Sequence, residues 1–250
     1  MPESLDPLLP PGRLYDHRSS GHVPLVLPYH QGDVFTGVDL AGLPEVSNAD
    51  EHLAMLFMHP CTMRDAGGAL REFVTVVRVT RQSATKVLAD PVHWERNYKV
   101  MPLPDLYETG KGTHAADFMQ IATVASAALP RTHRVAQLSA DGRLLMQQRI
   151  VFHLTRHAPL LRLFEQAVAH IEAEAQYQAD WVEAGTARTP VADVNLAQVE
   201  ALEHEAQEYL GNSRAPDSLR NQLAVESSRA AATRTIQLEI ARRYPRPGTL

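Results

Sequence analysis

Apolar positions follow two different rhythms along the 250 residues. Up to about residue 138 they come in short runs rich in β-branched side chains, which predicts strands; beyond it they repeat at helical spacing. Val34, Phe35, Val38 and Leu40 predict a first strand, followed by a loop from Gly42 to Asn48. Residues 53–58 form a continuous apolar run of strand length, as expected for a strand buried on both faces. Asp65-Ala66-Gly67-Gly68 reads as a turn. Residues 72–80, with Phe73, Val74, Val76, Val77 and Val79, predict a third strand, and 99–103 and 117–124 two more. Residues 125–129 predict a brief helical turn.

From Ser139, a natural N-cap, the pattern becomes helical through Leu144, Leu145, Ile150, Val151 and Leu154. Pro159 predicts the first turn of a second helix that Gly185 ends, with Leu160, Leu163, Phe164, Val168, Ile171 and Trp181 on one apolar face. A third helix fits 191–210, closed by Gly211, and a fourth 216–244, stopped by Pro245 and Pro247. Ahead of all this, residues 1–30 carry six prolines and no sustained periodicity. They predict an extended surface arm, with 25–27 as a short edge strand.

Composition narrows the class. With 44% hydrophobic and 21% charged residues the chain is an ordinary globular protein. No run approaches the roughly 18 apolar residues that cross a bilayer, so no membrane role is expected. The first residues lack a basic segment followed by an apolar one, so no secretory signal is expected. The single Cys61 excludes an internal disulfide and suits a reducing cytoplasm. No Cys/His spacing resembles a zinc site, and no metal or cofactor is implied. The net charge of −5 argues against a dedicated nucleic-acid wrapper. It is unevenly spread: −1 over residues 1–157 and −4 over 158–250.

Six segments in order carry a resemblance to a known family. Gln31-Gly32-Asp33-Val34 resembles a Gly-Asp-Ile/Val first strand. Residues 53–60 and 73–80 sit where the second and third strands would be. Val100-Met101-Pro102-Leu103-Pro104 is similar to a short strand ending Val-Pro-Leu-Pro. Phe118-Met119-Gln120-Ile121-Ala122-Thr123-Val124 is similar to a strand containing Asp-Gln-Ile/Val. Arg134-Val135-Ala136-Gln137-Leu138-Ser139 resembles a closing Val-Gly-Arg-Leu segment before a last helix. Together, residues 31–155 resemble the MazF/PemK family of toxin endoribonucleases, which have a small SH3-like β-barrel. Residues 158–250 have no counterpart in those compact toxins. The departures bear on chemistry. The family opens its second strand with an Arg-Pro pair whose arginine is catalytic, and here His52 and Leu53 stand there. The family's Ser or Thr after the third strand has Thr80 and Ser83 nearby, neither uniquely aligned. Without the cation that neutralises developing phosphate charge, the resemblance in fold does not carry the activity with it.

Three constellations compete with plainer readings. His59-Pro60-Cys61-Thr62-Met63-Arg64 ends the second strand with an imidazole, a thiol, a hydroxyl and a guanidinium. If the resemblance extends to RNA chemistry, the implied reaction is metal-independent attack by a ribose 2′-hydroxyl. Arg64 or Arg78 would then neutralise phosphate, His59 move protons and Thr62 orient the scissile group. Cys61 is a possible nucleophile with His59 or His114 in reach; the plainer reading makes it a small buried hydrophobe. Strand alternation puts Arg78 and Thr80 with Val74 and Val76, and Arg71 and Arg81 on the other face, so the arginines form no continuous basic strip. Trp94, Arg96, Tyr98 and Lys99 interleave aromatic and basic groups as single-stranded nucleic-acid grooves do, or Trp94 and Tyr98 simply cap a core. His204-Glu205 has no second His four residues on and so lacks the metalloprotease pattern. Glu200, Glu203, Glu205 and Glu208 read as a solvated helix face.

The expected fold is α+β: an extended arm over 1–22, a small SH3-like β-barrel over 23–157 and a helical C-terminal extension over 158–250. Two functions follow. One is a divergent nucleic-acid-directed relative of the toxins, an endoribonuclease or an RNA-binding protein with single-stranded RNA as partner, in a toxin–antitoxin or defence setting. The other is a non-catalytic scaffold whose helical extension binds a protein partner or a second copy, with a homo-oligomer expected.

Overall fold

The computed structural model describes residues 5–18, 23–40, 42–44, 52–82, 97–108, 113–190 and 193–245. It is α+β: a curled antiparallel sheet, a half-barrel, followed by helices. Among the described residues seven strands pair in the order β1-β7-β2-β3-β4-β6-β5, every neighbour antiparallel. They are β1 (Tyr15–Arg18), β2 (Val34–Phe35), β3 (Leu53–Leu56), β4 (Phe73–Gln82), β5 (Val100–Pro104), β6 (Thr113–Ala125) and β7 (Arg134–Leu138). The helices are α1 (Pro11–Leu14), α2 (Pro60–Met63), α3 (Ala140–Thr155), α4 (Leu161–Thr186), α5 (Leu196–Leu210), α6 (Leu219–Ala224) and α7 (Glu226–Arg243).

The chain forms two compact units. One gathers Met1–Val23, Tyr29–Pro60 and Glu72–Gln166; the other gathers Pro24–Pro28, Cys61–Arg71 and Ala167–Leu250. In the sheet unit, Val34, Met55, Val77, Val79, Met101, Phe118 and Leu138 build one core with Leu145 and Met146 of α3. Burying a side chain of this size stabilises by about 1.5–3 kcal/mol. The fully apolar strand predicted over 53–58 is the four-residue β3, in which every side chain is buried. Ser139 caps α3 as expected, its Oγ accepting from the Gly142 N–H at 3.0 Å. Gly142 lets the helix close on α1: a Cβ there would run into the Leu14 carbonyl oxygen. A buried ion pair crosses the sheet, with Arg134 Nη1 donating to Asp33 Oδ2 at 2.8 Å and both side chains inaccessible. Gln147 continues this polar core, donating to Gln31 Oε1 at 3.1 Å, and Gln31 donates to the Phe57 carbonyl at 2.9 Å.

In the helical unit Tyr177, Leu210, Leu223, Ala232 and Ile236 form a smaller core. Asn195 caps α5 through the Gln198 N–H, and Gly211 closes that helix at a φ of 80°.

The structure differs from the sequence expectations at several points. Residues 15–18 are not part of a surface arm but pair with β7, because Pro11 starts a helical turn and delivers the buried Leu14 and Tyr15 to the sheet. Residues 25–27 form a turn closed from the Leu27 N–H to the Pro24 carbonyl. Val38 and Leu40 are buried but lie beyond the two-residue β2, and β6 starts four residues earlier than its apolar run. The fourth helix is two, α6 and α7. Val225 is extended, and Ser228 Oγ and Arg229 Nε donate to the Gln222 and Leu223 carbonyls that a continuous helix would use. Gly185 lies inside α4, where its missing side chain admits Leu202. Leu160 and Leu163 do not share a covered face with Val168 and Trp181: the first two are more than half exposed, the last two buried.

Candidate functional site

The sequence directs attention to the end of β3, and the structure divides that cluster. His59 and Arg78 group with the sheet, whereas Thr62 and Arg64 belong to the 61–71 segment of the helical unit. After α2, residues 64–71 form a tight loop. Asp65 Oδ1 accepts from the Gly67 and Ala69 N–H groups at 2.9 and 3.0 Å, as turn-forming aspartates do. Arg64 pairs with Leu70 through the main chain, and its Nη1 donates to the Gly68 carbonyl at 2.9 Å. Arg71 Nε donates to the Arg64 carbonyl at 3.2 Å. Two further bonds reach the Ala66 carbonyl, from Arg220 Nη1 at 3.2 Å and the Ser213 N–H at 3.1 Å. Gly68, at a φ of 88°, has the Arg220 guanidinium where a side chain would stand. Thr62 is exposed and His59 half-buried. Cys61 lies on α2, and its side chain, with the nucleophile reading, falls outside the described residues.

Arg78 sits at an irregularity between β4 and β6, where Val77 pairs with Ile121 but Val79 with Ala116. Burial therefore changes phase, from Val74 and Val76 to Val77 and Val79, and the simple alternation expected for Arg78 does not hold across it. Its Nη1 donates to Gln120 Oε1 at 3.0 Å and to the Pro44 carbonyl. Gln120 in turn donates to Asp117 Oδ2 at 3.0 Å, and Asp117 Oδ1 accepts from the Met119 N–H at 2.9 Å. The arginine thus belongs to a side-chain relay that fastens the extra residues of β6.

The aromatic–basic stretch is also built into the fold. The Tyr98 ring lies 6.1 Å from Phe152 and 6.2 Å from His153 on α3, with the Arg156 guanidinium 3.6 Å above it. A ring covered in this way is not an open platform for a base. Lys99 is exposed beside it, and Trp94 and Arg96 lie outside the described residues. His114 is buried, edge-on to Tyr107 at 5.4 Å.

Among the described residues no three His, Cys, Asp or Glu side chains converge as a metal site. His204 pairs with Glu208 at 3.4 Å on the exposed side of α5. Glu205, read as part of a solvated face, instead accepts from the Tyr244 hydroxyl at 3.0 Å and from Arg243. The hydrogen bonds of Arg242 and Arg243 hold the Glu239 carboxyl down at about 2. Arg243 also lies 5.0 Å over the Trp181 ring. Arg243 therefore ties α7 to Glu205 of α5 and to the Trp181 ring, while Arg242 bonds Glu239 of its own helix. Nearby, a cavity of about 850 Å³ is lined by Asp180, Glu183, Arg188, Gln237, Ile240 and Tyr244. Its charges are mixed, and among its described lining residues there is no nucleophile–base pair.

Sequence reasoning missed the Asp33–Arg134 pair. Both residues sit in segments that carry the family resemblance, and the signal was a charged residue inside each of two apolar strand segments. No family model matches the chain, and no curated protein matches it.

Proposed function

We propose that this protein is a non-catalytic assembly protein, with the curled sheet as scaffold and the C-terminal helices engaging a protein partner. The observation that carries this reading is the engagement of both guanidiniums with main-chain carbonyls, Arg64 with Gly68 of its own loop and Arg78 with Pro44 of another. A cation that stabilises a phosphoryl transition state acts by being preorganised toward the reacting group. Turning Arg78 to a phosphate would break its bonds to Pro44 and Gln120 and unfasten the β6 irregularity. The net charge of −5 adds nothing for a polyanion. Leu154, Leu160 and Leu163, 73%, 58% and 53% exposed, follow one another along the turn from α3 into α4. Exposed leucines so close together are what protein contacts cover. The lone cysteine favours a reducing cytoplasm as the place where the assembly forms.

The competing reading is the RNA-directed relative of the toxins, and one purification separates the two. Tagged full-length chain isolated from its host should carry a stoichiometric protein and no nucleic-acid absorbance. A Leu154→Ser/Leu163→Ser variant should lose that protein. Bound RNA would overturn the reading. So would cleavage of single-stranded RNA in EDTA that His59→Ala and Arg64→Ala abolish.

A further inference from the structure

The geometry points to a self-association edge on β6, where the residues centred on Ala122 of one copy pair antiparallel with the same residues of a second copy. This goes beyond the assembly reading and does not depend on the helices invoked there. On one side β6 pairs with β4, over 113–116 and again over 121–125. On the other side β5 covers only 113–117. The Ser126 N–H donates to the Glu72 carbonyl at 2.8 Å, which sets the phase of the ladder. Val124 and Ala122 therefore direct their main-chain groups at β4, and Ile121, Thr123 and Ala125 direct theirs away from it. Among the described residues no main-chain hydrogen bond is made to those three on the outer side.

The other sheet edges are guarded. β5 presents Pro102 and Pro104, which have no N–H to offer. β1 is four residues long and carries Asp16, His17 and Arg18, with Arg18 paired to Asp105 at 2.6 Å. Short, charged or proline-bearing edges are how sheets avoid joining one another. The stretch Met119-Gln120-Ile121-Ala122-Thr123-Val124-Ala125 has none of these devices: no charge, no proline, no glycine. Met119 is 63% exposed and Ile121 46%, and Phe73, 56% exposed, shares the face of Ile121 through its pairing with Ala125.

The chemistry of the edge selects its occupant. A charged strand or a polyanion finds no complementary charge on it. The fitting partner is an uncharged, β-prone strand of similar length running antiparallel, and the same stretch of a second copy is one. Around a two-fold axis at Ala122, Ile121 of one copy stands opposite Thr123 of the other, twice, and all four direct main-chain groups at each other. The faces bearing Phe73 and Ile121 then become continuous. Each copy uses the one edge left unguarded among the described residues, so the assembly closes at two.

Sedimentation velocity from micromolar to near-millimolar concentration tests this, with far-UV circular dichroism to establish that each variant is folded. Wild-type protein should pass reversibly from one copy to two. Thr123→Pro removes an outward N–H and no bond of the β4 ladder, so it should weaken dimerisation at least about tenfold, some 1.4 kcal/mol. Ile121→Lys, at an exposed position, should do the same by putting like charges at the two-fold axis. A wild-type protein that stays monomeric throughout overturns the proposal and leaves the edge to a strand of another protein. A dimer that persists unchanged in either folded variant overturns it as well.

Discussion

The principal charge cluster of each unit stands in a different environment. In the sheet unit the Asp33–Arg134 pair is sealed from solvent inside an apolar core. In the helical unit the corresponding role falls to the Glu205, Glu239, Arg242, Arg243 and Tyr244 cluster, most of it in contact with water. A buried pair is expensive to break on one side and indifferent to salt, whereas an exposed cluster is screened and titrates. In both units guanidiniums, among them those of Arg64 and Arg78, fasten loops by bonding to main-chain carbonyls.

The largest expected effect comes from breaking the sealed pair. Arg134→Met strands Asp33 in the core and should cost about 3–5 kcal/mol in urea unfolding, with little dependence on salt. In the helical core, Ile236→Ala should cost about 2–5 kcal/mol, read as earlier loss of helical signal. Ser139→Ala removes the cap of α3 and should cost about 1 kcal/mol.

The smallest effects are in pH, and they belong to the helical unit. The Glu239 carboxyl is lowered from 4.5 to about 2 in the folded chain, so the unfolded chain takes up its proton first. Its stabilisation is complete above 4.5 and is lost as pH falls through about 2, and Glu239→Gln should flatten that part of an acid titration. Burial, then the Arg229 charge, hold the His170 imidazole below its ordinary 6.5. The sign is the same: stability from this group is present above 6.5 and declines as pH falls below it. Thermal midpoints of His170→Gln and wild type should therefore converge above neutrality and part below 6.5.

Much of the sheet was legible because burial wrote itself into the residues. The apolar run 53–56 and the β-branched 73–80 appear as β3 and within β4, and Ser139 and Gly211 mark helix ends through chemistry local to each. What was not legible depended on partners distant in sequence. Tyr15 joins the sheet by pairing with Leu138 of β7, a partner too distant in sequence for any local pattern to encode. The phase change at Arg78 arises from extra residues in β6, and the break at Val225 from side chains of Ser228 and Arg229. The candidate site suffered most. His59, Thr62 and Arg64 are neighbours along the chain, yet His59 belongs to the sheet unit and the other two to the helical unit, and Arg64 is bonded to Gly68 within its own loop.

On the reading proposed, Arg64 and Arg78 serve the fold and not a phosphate. Fluorescence anisotropy of labelled single-stranded RNA, titrated with the full chain at low salt, tests it most directly. No saturable rise is expected, and the same flat titration for Arg64→Ala and Arg78→Ala. Saturable binding by wild type that either substitution abolishes, in a variant that remains folded, would contradict it.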